Sequence, residues 1–570
     1  MATTTSCSGT PIAYATPEWS DLSKKRQYFP GFGENNVLWA WLAALLILGA
    51  CGTSPPASAP GVMPFSIEPT RVLASSPELL ALGKKTFDKE CVACHGAAGN
   101  GEGDAAYLLY PRPRDFTSGL FRIISTWDGV PTDQDLFRTM SRGMPGSAMP
   151  SWAHLPEETR WGLVHYVKSF SKRPLKVNAG REPDRYGSGG AGAITVAPEP
   201  PYDDAARVRA QELFAKGCAP CHGATARGDG AQKQVDSAGY PTRPRDLTLG
   251  VLKGSPERAQ IYHRIVAGLP GSPMPQNGYL QGNDAWHLVH FVRSLSSDAQ
   301  RAKVEMKKFR IVARRVAMLP TSPDSGIWRD TPAVNLHLMP LWWRTDRPEE
   351  LTVRALHDGR SLALLLKWED ATHDETAIRP QDFRDAAAAE FALTPDPPFF
   401  AMGQGGAPVN IWMWKSERQA DLQPAFQDLE KVYPNIGIDS YPNLLKSPLE
   451  QPMRNALTLE SDPRFVTAWG AGNIVADPKR QSAAEDLTAQ GFGTLRAHPM
   501  QDQAVAATGE YMTGSYLVQF TRPFAGRGNT AVQLAPGDRV PIAFALWNGS
   551  AGDRDGKKSV TIWQELLLEQ

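Results

Sequence analysis

The chain has 570 residues with 60 basic and 60 acidic side chains, so its formal net charge at pH 7 is zero and composition offers no case for nucleic acid binding. Its hydrophobic share of 42% and charged share of 21% are those of globular protein, and at ~150 residues per domain the length predicts three or four units. Four of the six cysteines belong to a repeated motif, which excludes a disulfide-stapled fold.

Residues 1–36 are polar and read as unstructured. Residues 37–50 then form an apolar run of fourteen, short for a spanning helix, which needs ~20 residues, and right for the core of an export signal. The run stops at Leu48-Gly49-Ala50-Cys51, which resembles the bacterial lipobox. That resemblance implies a signal peptide over 1–50, lipidation of Cys51 as the mature N-terminus, and a Pro/Ser-rich tether over 51–75; an uncleaved membrane helix is the alternative. Cys7 falls in the removed part. The expected location is the periplasmic side of a bacterial membrane.

Cys91-Val92-Ala93-Cys94-His95 is written again as Cys218-Ala219-Pro220-Cys221-His222. In C-x-x-C-H the two thiols add to the vinyl groups of a haem and the histidine supplies a nitrogen to its iron. Neither neighbourhood offers the further cysteines of a closed zinc site, so two covalent haems c are expected. Aligning the copies also aligns Tyr110-Pro111-Arg112-Pro113-Arg114-Asp115 with Tyr240-Pro241-Thr242-Arg243-Pro244-Arg245-Asp246. Further on, Gly143-Met144-Pro145-Gly146-Ser147-Ala148-Met149 answers to Gly268-Leu269-Pro270-Gly271-Ser272-Pro273-Met274. Met144 falls opposite Leu269 and Met149 opposite Met274, so Met149 and Met274 are the expected second iron ligands.

A His/Met pair raises the haem potential and leaves no open coordination site, which is electron-transfer chemistry. Residues 76–172 and 205–297 resemble class I cytochromes c, each an all-α unit closing in a helix at Trp161-Gly162-Leu163 or Trp286-His287-Leu288. His165 and His290, on those helices, are expected as packing or polar-face residues. Arg112, Arg114, Arg243 and Arg245 are candidates for pairing with haem propionates, with a solvated loop as the alternative. Residues 173–204, rich in Gly and then Pro, are expected as a linker, and 298–309 as a connector.

From residue 310 the pattern changes period. Leu351–His357 and Ser361–Trp368 flank Asp358-Gly359-Arg360, a hairpin signal, and further short aromatic and β-branched runs predict an all-β sandwich-like domain over 310–570. Trp412, Trp414, Trp547 and Trp563 are expected in its core, and His357 as a turn residue. Phe399-Phe400-Ala401-Met402-Gly403, Val409-Asn410-Ile411-Trp412-Met413-Trp414-Lys415, Gly491-Phe492-Gly493 and Ala545-Leu546-Trp547-Asn548-Gly549 together resemble the haem-binding domain of the ethylbenzene dehydrogenase γ subunit. That family holds a non-covalent haem b between a methionine and a lysine. The matching positions are Met402 and Lys558, with Lys557 the near neighbour.

The resemblance implies a multihaem electron-transfer subunit that docks on the iron–sulfur subunit of a molybdenum enzyme of the dimethyl sulfoxide reductase family. Electrons would pass between that complex and a soluble or membrane cytochrome. No nucleophile elbow, P-loop or HExxH motif occurs, and no catalytic residue is assigned. The alternative is a lipoprotein cytochrome whose sandwich binds a small ligand or sugar.

Overall fold

The computed structural model of the protein describes residues 61–570, apart from 64, 185–188, 281, 401, 423–431, 434 and 436–480. The expected signal segment, with Cys7 and the lipobox at Cys51, lies outside the described residues. No helix among the described residues is long and apolar enough to cross a membrane.

Each cytochrome unit is built on two crossing helices. In the first, α1 (Pro77–Glu90) is capped by Ser76, whose hydroxyl accepts from Leu79 N at 3.2 Å, and α2 (Asp133–Arg142) opens with a capping box between Thr132 and Asp135. Then α3 (Glu157–Ser169) buries Trp161, Leu163, Val164 and Val167. α1 and α3 meet at Gly83 and Gly162, where a Cβ on Gly83 would lie 2.1 Å from the Gly162 carbonyl oxygen. The second unit repeats the plan with α4 (Asp204–Gly217), α5 (Arg258–Ala267) and α6 (Gly282–Ser294). Counting from the cysteine and tryptophan motifs, its crossing positions are Ala210 and His287. Gly83→Ala is therefore expected to prise the first pair apart at a cost of about 3 kcal/mol, read as a lower melting temperature. Ala210→Gly, which only trades helix propensity and one methyl, should cost about 1 kcal/mol.

The segment between the units is not a free linker. Trp127 N donates to Gly192 O at 2.8 Å, Ile194 N to Ser125 O at 2.9 Å, and Trp286 Nε1 to Ala197 O at 2.8 Å. Buried Ile194 joins Ile124 and Trp127 of the first unit in the core of the second. Composition predicts freedom where the backbone finds no partners, and here an apolar side chain within the Gly-rich stretch docks it.

In the C-terminal unit the strands are β1 (Phe309–Arg315), β2 (Glu350–His357), β3 (Ser361–Glu369), β4 (Ala386–Ala392) and β5 (Val409–Lys415). They continue as β6 (Ala484–Ala489), β7 (Ala506–Met512), β8 (Ser515–Pro523), β9 (Arg539–Trp547) and β10 (Gln564–Leu568). The predicted hairpin is β2–β3, with Gly359 at φ +87° and Asp358 Oδ1 accepting from Arg360 N and Ser361 N at 2.8 and 2.7 Å. His357, expected in the turn, is instead the last residue of β2, buried and paired with Leu362, and its Nδ1 accepts from Gly359 N at 3.2 Å.

The whole is one mixed sheet in the order β6-β5-β4-β9-β10-β1-β2-β3-β8-β7. β1 makes it mixed, because it runs parallel to both neighbours, β10 and β2. The sheet folds back on itself, so that Trp414 on β5 meets Tyr516 on β8 with ring centroids 5.5 Å apart. Alternation along each strand then sorts side chains between two faces. Trp412, Trp414, Ala387, Ala389, Phe391, Ile542, Phe544 and Leu546 point into the interior. Ile411, Met413, Ala386, Ala388, Ala392, Ala543, Ala545 and Trp547 form the opposite face, against which the first cytochrome unit packs.

Candidate functional site

Cys91, Cys94 and His95 of the first C-x-x-C-H motif line a cavity of about 160 Å³. Cys91 caps the end of α1, and Val92–His95 makes a single further turn that presents Cys94 and His95 to the same space. His95 Nδ1 lies 2.9 Å from the Arg114 carbonyl, which leaves Nε2 for a metal and fixes the tautomer. Burial holds the ring neutral by lowering its pKa to about 4, as a ligand requires, and pushes the Cys94 thiol up to about 12. Met149 lines the same cavity from a tight loop in which Met144 N donates to Met149 O at 3.0 Å and Ser147 N to Met144 O at 3.1 Å.

The second unit builds the same loop, with Leu269 N donating to Met274 O at 3.1 Å and Ser272 N to Leu269 O at 2.9 Å. Met144 therefore occupies the structural place of Leu269. Cys218, Cys221 and His222 follow α4 as their counterparts follow α1. The His222 ring faces the Arg245 carbonyl, although its Nδ1 falls outside hydrogen-bond geometry. Neither His165 nor His290 lines the cavity around His95. His165 Nε2 lies 2.8 Å from Leu73 O, and His290 stacks on Tyr202 with centroids 4.7 Å apart.

In the C-terminal unit the two residues carried over from the family's motif come together from distant parts of the chain. Lys558 Nζ lies 3.8 Å from Met402 Sδ and 4.9 Å from the centre of the Trp547 ring. Met402 sits at φ +67°, a backbone region costly for a residue with a Cβ, and Gly491 N, from the Gly491-Phe492-Gly493 motif, donates to Met402 O at 2.7 Å. Lys557 is turned the other way, hydrogen-bonded to Ala551 O. The face around the pair is lined by Ala386, Ala388, Ala392, Ala489, Ala543 and Ala545, side chains small enough to leave room for a flat ring system, with Phe399, Phe400 and Trp563 in the same apolar cluster. All four tryptophans are buried as expected, but Trp547 stands beside Lys558 and Trp563 belongs to the same apolar cluster as Met402, while Trp412 and Trp414 fill the interior.

Sequence reading missed Glu390. It is a charged side chain on the alanine-lined face of β4, and its Oε1 finds no hydrogen-bond partner among the described residues. Burial pushes its carboxyl up and the Lys558 ammonium down, each restrained by the other. A lone acid at alternate spacing in an alanine run was the available signal.

The two kinds of site adjoin. Cys91, Cys94, Phe399, Phe400 and Met402 belong to one apolar cluster, and Phe399 also lines the cavity around His95. Backbone hydrogen bonds run from Leu341 N to Lys558 O at 2.9 Å and from Tyr110 N to Leu341 O at 3.0 Å, tying the first cytochrome's loop to the lysine. On the other side, Arg245 and Lys253 of the second cytochrome unit line that same cavity. All three units meet at Trp343, whose ring lies between Arg245 at 3.8 Å and Arg347 at 4.4 Å. Trp343→Ala is expected to cost about 2 kcal/mol through the two lost cation–π contacts. Calorimetry should show the lower transition with the covalent haem content unchanged.

Comparisons with known proteins follow these boundaries. The ethylbenzene dehydrogenase family model matches residues 325–559, that of the cbb3-type cytochrome c oxidase subunit III matches 78–167, and that of cytochrome c matches 208–296. The γ subunit of dimethylsulfide dehydrogenase from Rhodovulum sulfidophilum is 25% identical over 260 residues, which are 43% of this chain and 73% of that protein. The γ subunit of chlorate reductase from Ideonella dechloratans is 23% identical over 256 residues, 43% of this chain and 78% of its own. A cbb3-type cytochrome c oxidase subunit from Rubrivivax gelatinosus is 25% identical over 148 residues, 26% of this chain and 44% of that protein. The chain thus belongs, through its C-terminal unit, to the ethylbenzene dehydrogenase family, and it carries two cytochrome c domains ahead of that unit.

Proposed function

We propose that this chain is the multihaem electron-transfer subunit of a molybdenum oxidoreductase complex, with the first cytochrome domain as the middle station between the C-terminal domain and the second cytochrome domain. The observation that carries this reading is the shared surround of the first cavity: Phe399 reaches it from the C-terminal domain and Arg245 and Lys253 from the second cytochrome domain. Cys91, Cys94, His95 and Met149 would hold one haem c, Cys218, Cys221, His222 and Met274 another, and Met402 and Lys558 a haem b. Bound haem supplies reversible one-electron chemistry at iron.

The protein's own task is to close each iron from both sides and to keep water away from it. His95 is held neutral by burial and oriented by the Arg114 carbonyl. Burial favours the uncharged amine of Lys558, the form with a lone pair to donate. Export is part of the reading, because attachment of haem to C-x-x-C-H takes place outside the bacterial cytoplasm; a lipid on Cys51 would keep the chain at the membrane. The C-terminal domain would face the iron–sulfur subunit of the molybdenum enzyme, and the second cytochrome domain a soluble or membrane cytochrome. Purification from the native membrane through a tag on this chain tests the proposal. A molybdenum subunit and an iron–sulfur subunit should co-purify, and recovery of the chain alone would overturn the assignment.

A further inference from the structure

The matched loops of the two cytochrome domains cross over at their junction. Arg245 of the second domain donates through Nη2 to Gly146 O, in the methionine loop of the first, at 2.6 Å. Its counterpart in the repeat, Arg114, reaches the methionine loop of the second domain, where a Cβ on Gly271 would lie 2.9 Å from Arg114 Nη1. Arg122 and Lys253 are also counterparts, each seven residues beyond the shared aspartates Asp115 and Asp246. Arg122 crosses as well, with Nη2 3.6 Å from Asp236 Oδ2 of the second domain. Sequence alone makes Arg112, Arg114, Arg243 and Arg245 candidates for haem propionates, with a solvated loop as the alternative. Arg243 is exposed, while Arg112, which lines the first domain's cavity, lies over the Tyr240 ring of the other domain at 4.9 Å.

Arg114, Arg122, Arg245 and Lys253 all line the cavity that holds Cys91, Cys94 and His95. These four cations face Asp236 and Asp115 nearby, and Glu90 is the carboxyl among the residues lining the cavity. Asp236 pairs with Arg122, while the Arg114 guanidinium and the Lys253 ammonium make no hydrogen bond or ion pair among the described residues, and Arg245 Nε has no partner. Burial lowers the Lys253 pKa well below the usual ammonium range, and Arg245, Arg122 and Arg114 lower it further. Such a group repels itself in a poorly solvated site unless anions enter it. A haem presents two propionate carboxylates on one edge, and guanidinium is the side chain whose fork matches a carboxylate.

Resting on the reading that both cytochrome domains carry covalent haem, we propose that the pairing is exchanged between domains. The propionates of the haem at Cys91 and Cys94 are seated by Arg245 and Lys253 of the second domain, and those of the haem at Cys218 and Cys221 by Arg114 and Arg122 of the first. The two propionate edges then face each other across the junction. Each domain sets the electrostatic environment of the other's iron, and the junction is completed only when both sites are filled.

The test is a redox titration of the full chain carrying Met149→His, which replaces thioether by imidazole and lowers the potential of the first domain's haem, marking its component. Removing a nearby cation favours the ferric state. Adding Arg245→Gln should therefore lower the marked component about tenfold in its ferrous-to-ferric ratio, ~59 mV for one electron, and move the other c-type component less. Arg114→Gln should do the reverse, and Arg245→Lys should restore most of the shift. If Arg245→Gln moves the unmarked component as much or more, or moves neither, the exchange is overturned. Lys253→Gln, a side chain not tied into any hydrogen bond, gives the same readout should Arg245→Gln fail to fold. Pyridine haemochrome analysis checks the underlying reading separately, because a chain lacking two covalent haems would refute the attachment and not the exchange.

Discussion

Lys558→Ala is expected to purify with both covalent haems and without an acid-acetone-extractable one. The substitution removes the nitrogen that faces Met402 Sδ at 3.8 Å. With that nitrogen ligand gone, haem b occupancy should fall by about tenfold or more. Lys557→Ala is the control, since that side chain turns away to Ala551 O, and its haem content should match the parent. Met402→Gly gives a second signature. It relieves a backbone conformation at φ +67° that costs a side chain about 1 kcal/mol, yet removes the thioether. The haem-free domain should therefore melt slightly higher while extractable haem is lost. Retention of haem b in both Lys558→Ala and Met402→Gly would move the site elsewhere on the alanine-lined face.

Much of this was legible because the chemistry is local or repeated. C-x-x-C-H needs five contiguous residues, and the second copy distinguishes Met149 from Met144 without any coordinates. The hairpin at Asp358-Gly359-Arg360 is a short-range signal of the same kind. Alternation carried further than was used: it separates Trp412 and Trp414 from Trp547, and it singles out Glu390 among the alanines of β4. Other features depend on contacts between residues far apart in the chain, and no period encodes them. The parallel pairing of β1 with β10 joins residues 310–313 to 565–568. The docking of residues 191–197 on both cytochrome domains, and the exchange of Arg114 and Arg245, arise from how finished domains pack. The repeat does mark Arg122 and Lys253 as equivalent, but only their convergence at the junction gives that equivalence a meaning.

The order of the three domains makes a kinetic prediction that their presence alone does not. With the first cytochrome domain in the middle, Met149→His should slow reduction of the second cytochrome domain by a pre-reduced C-terminal domain, because the replaced ligand lowers the potential of the intermediate site. Each ~59 mV of lowering cuts the ferrous occupancy of that site tenfold, so a fall of ~120 mV slows the relay about a hundredfold. Met274→His alters the far end instead. It should leave electron arrival at the first cytochrome domain at the parent rate and diminish only what passes onward. Stopped-flow spectroscopy of the intact chain, following the b-type and c-type bands after rapid reduction, separates the two. The physical basis is the asymmetry of contact: Phe399 of the C-terminal domain enters the cavity of His95, and the backbone link from Lys558 through Leu341 ends at Tyr110 of the same domain. If Met274→His slowed the first transfer as strongly as Met149→His, the second cytochrome domain would be the entry point and the proposed order would be wrong.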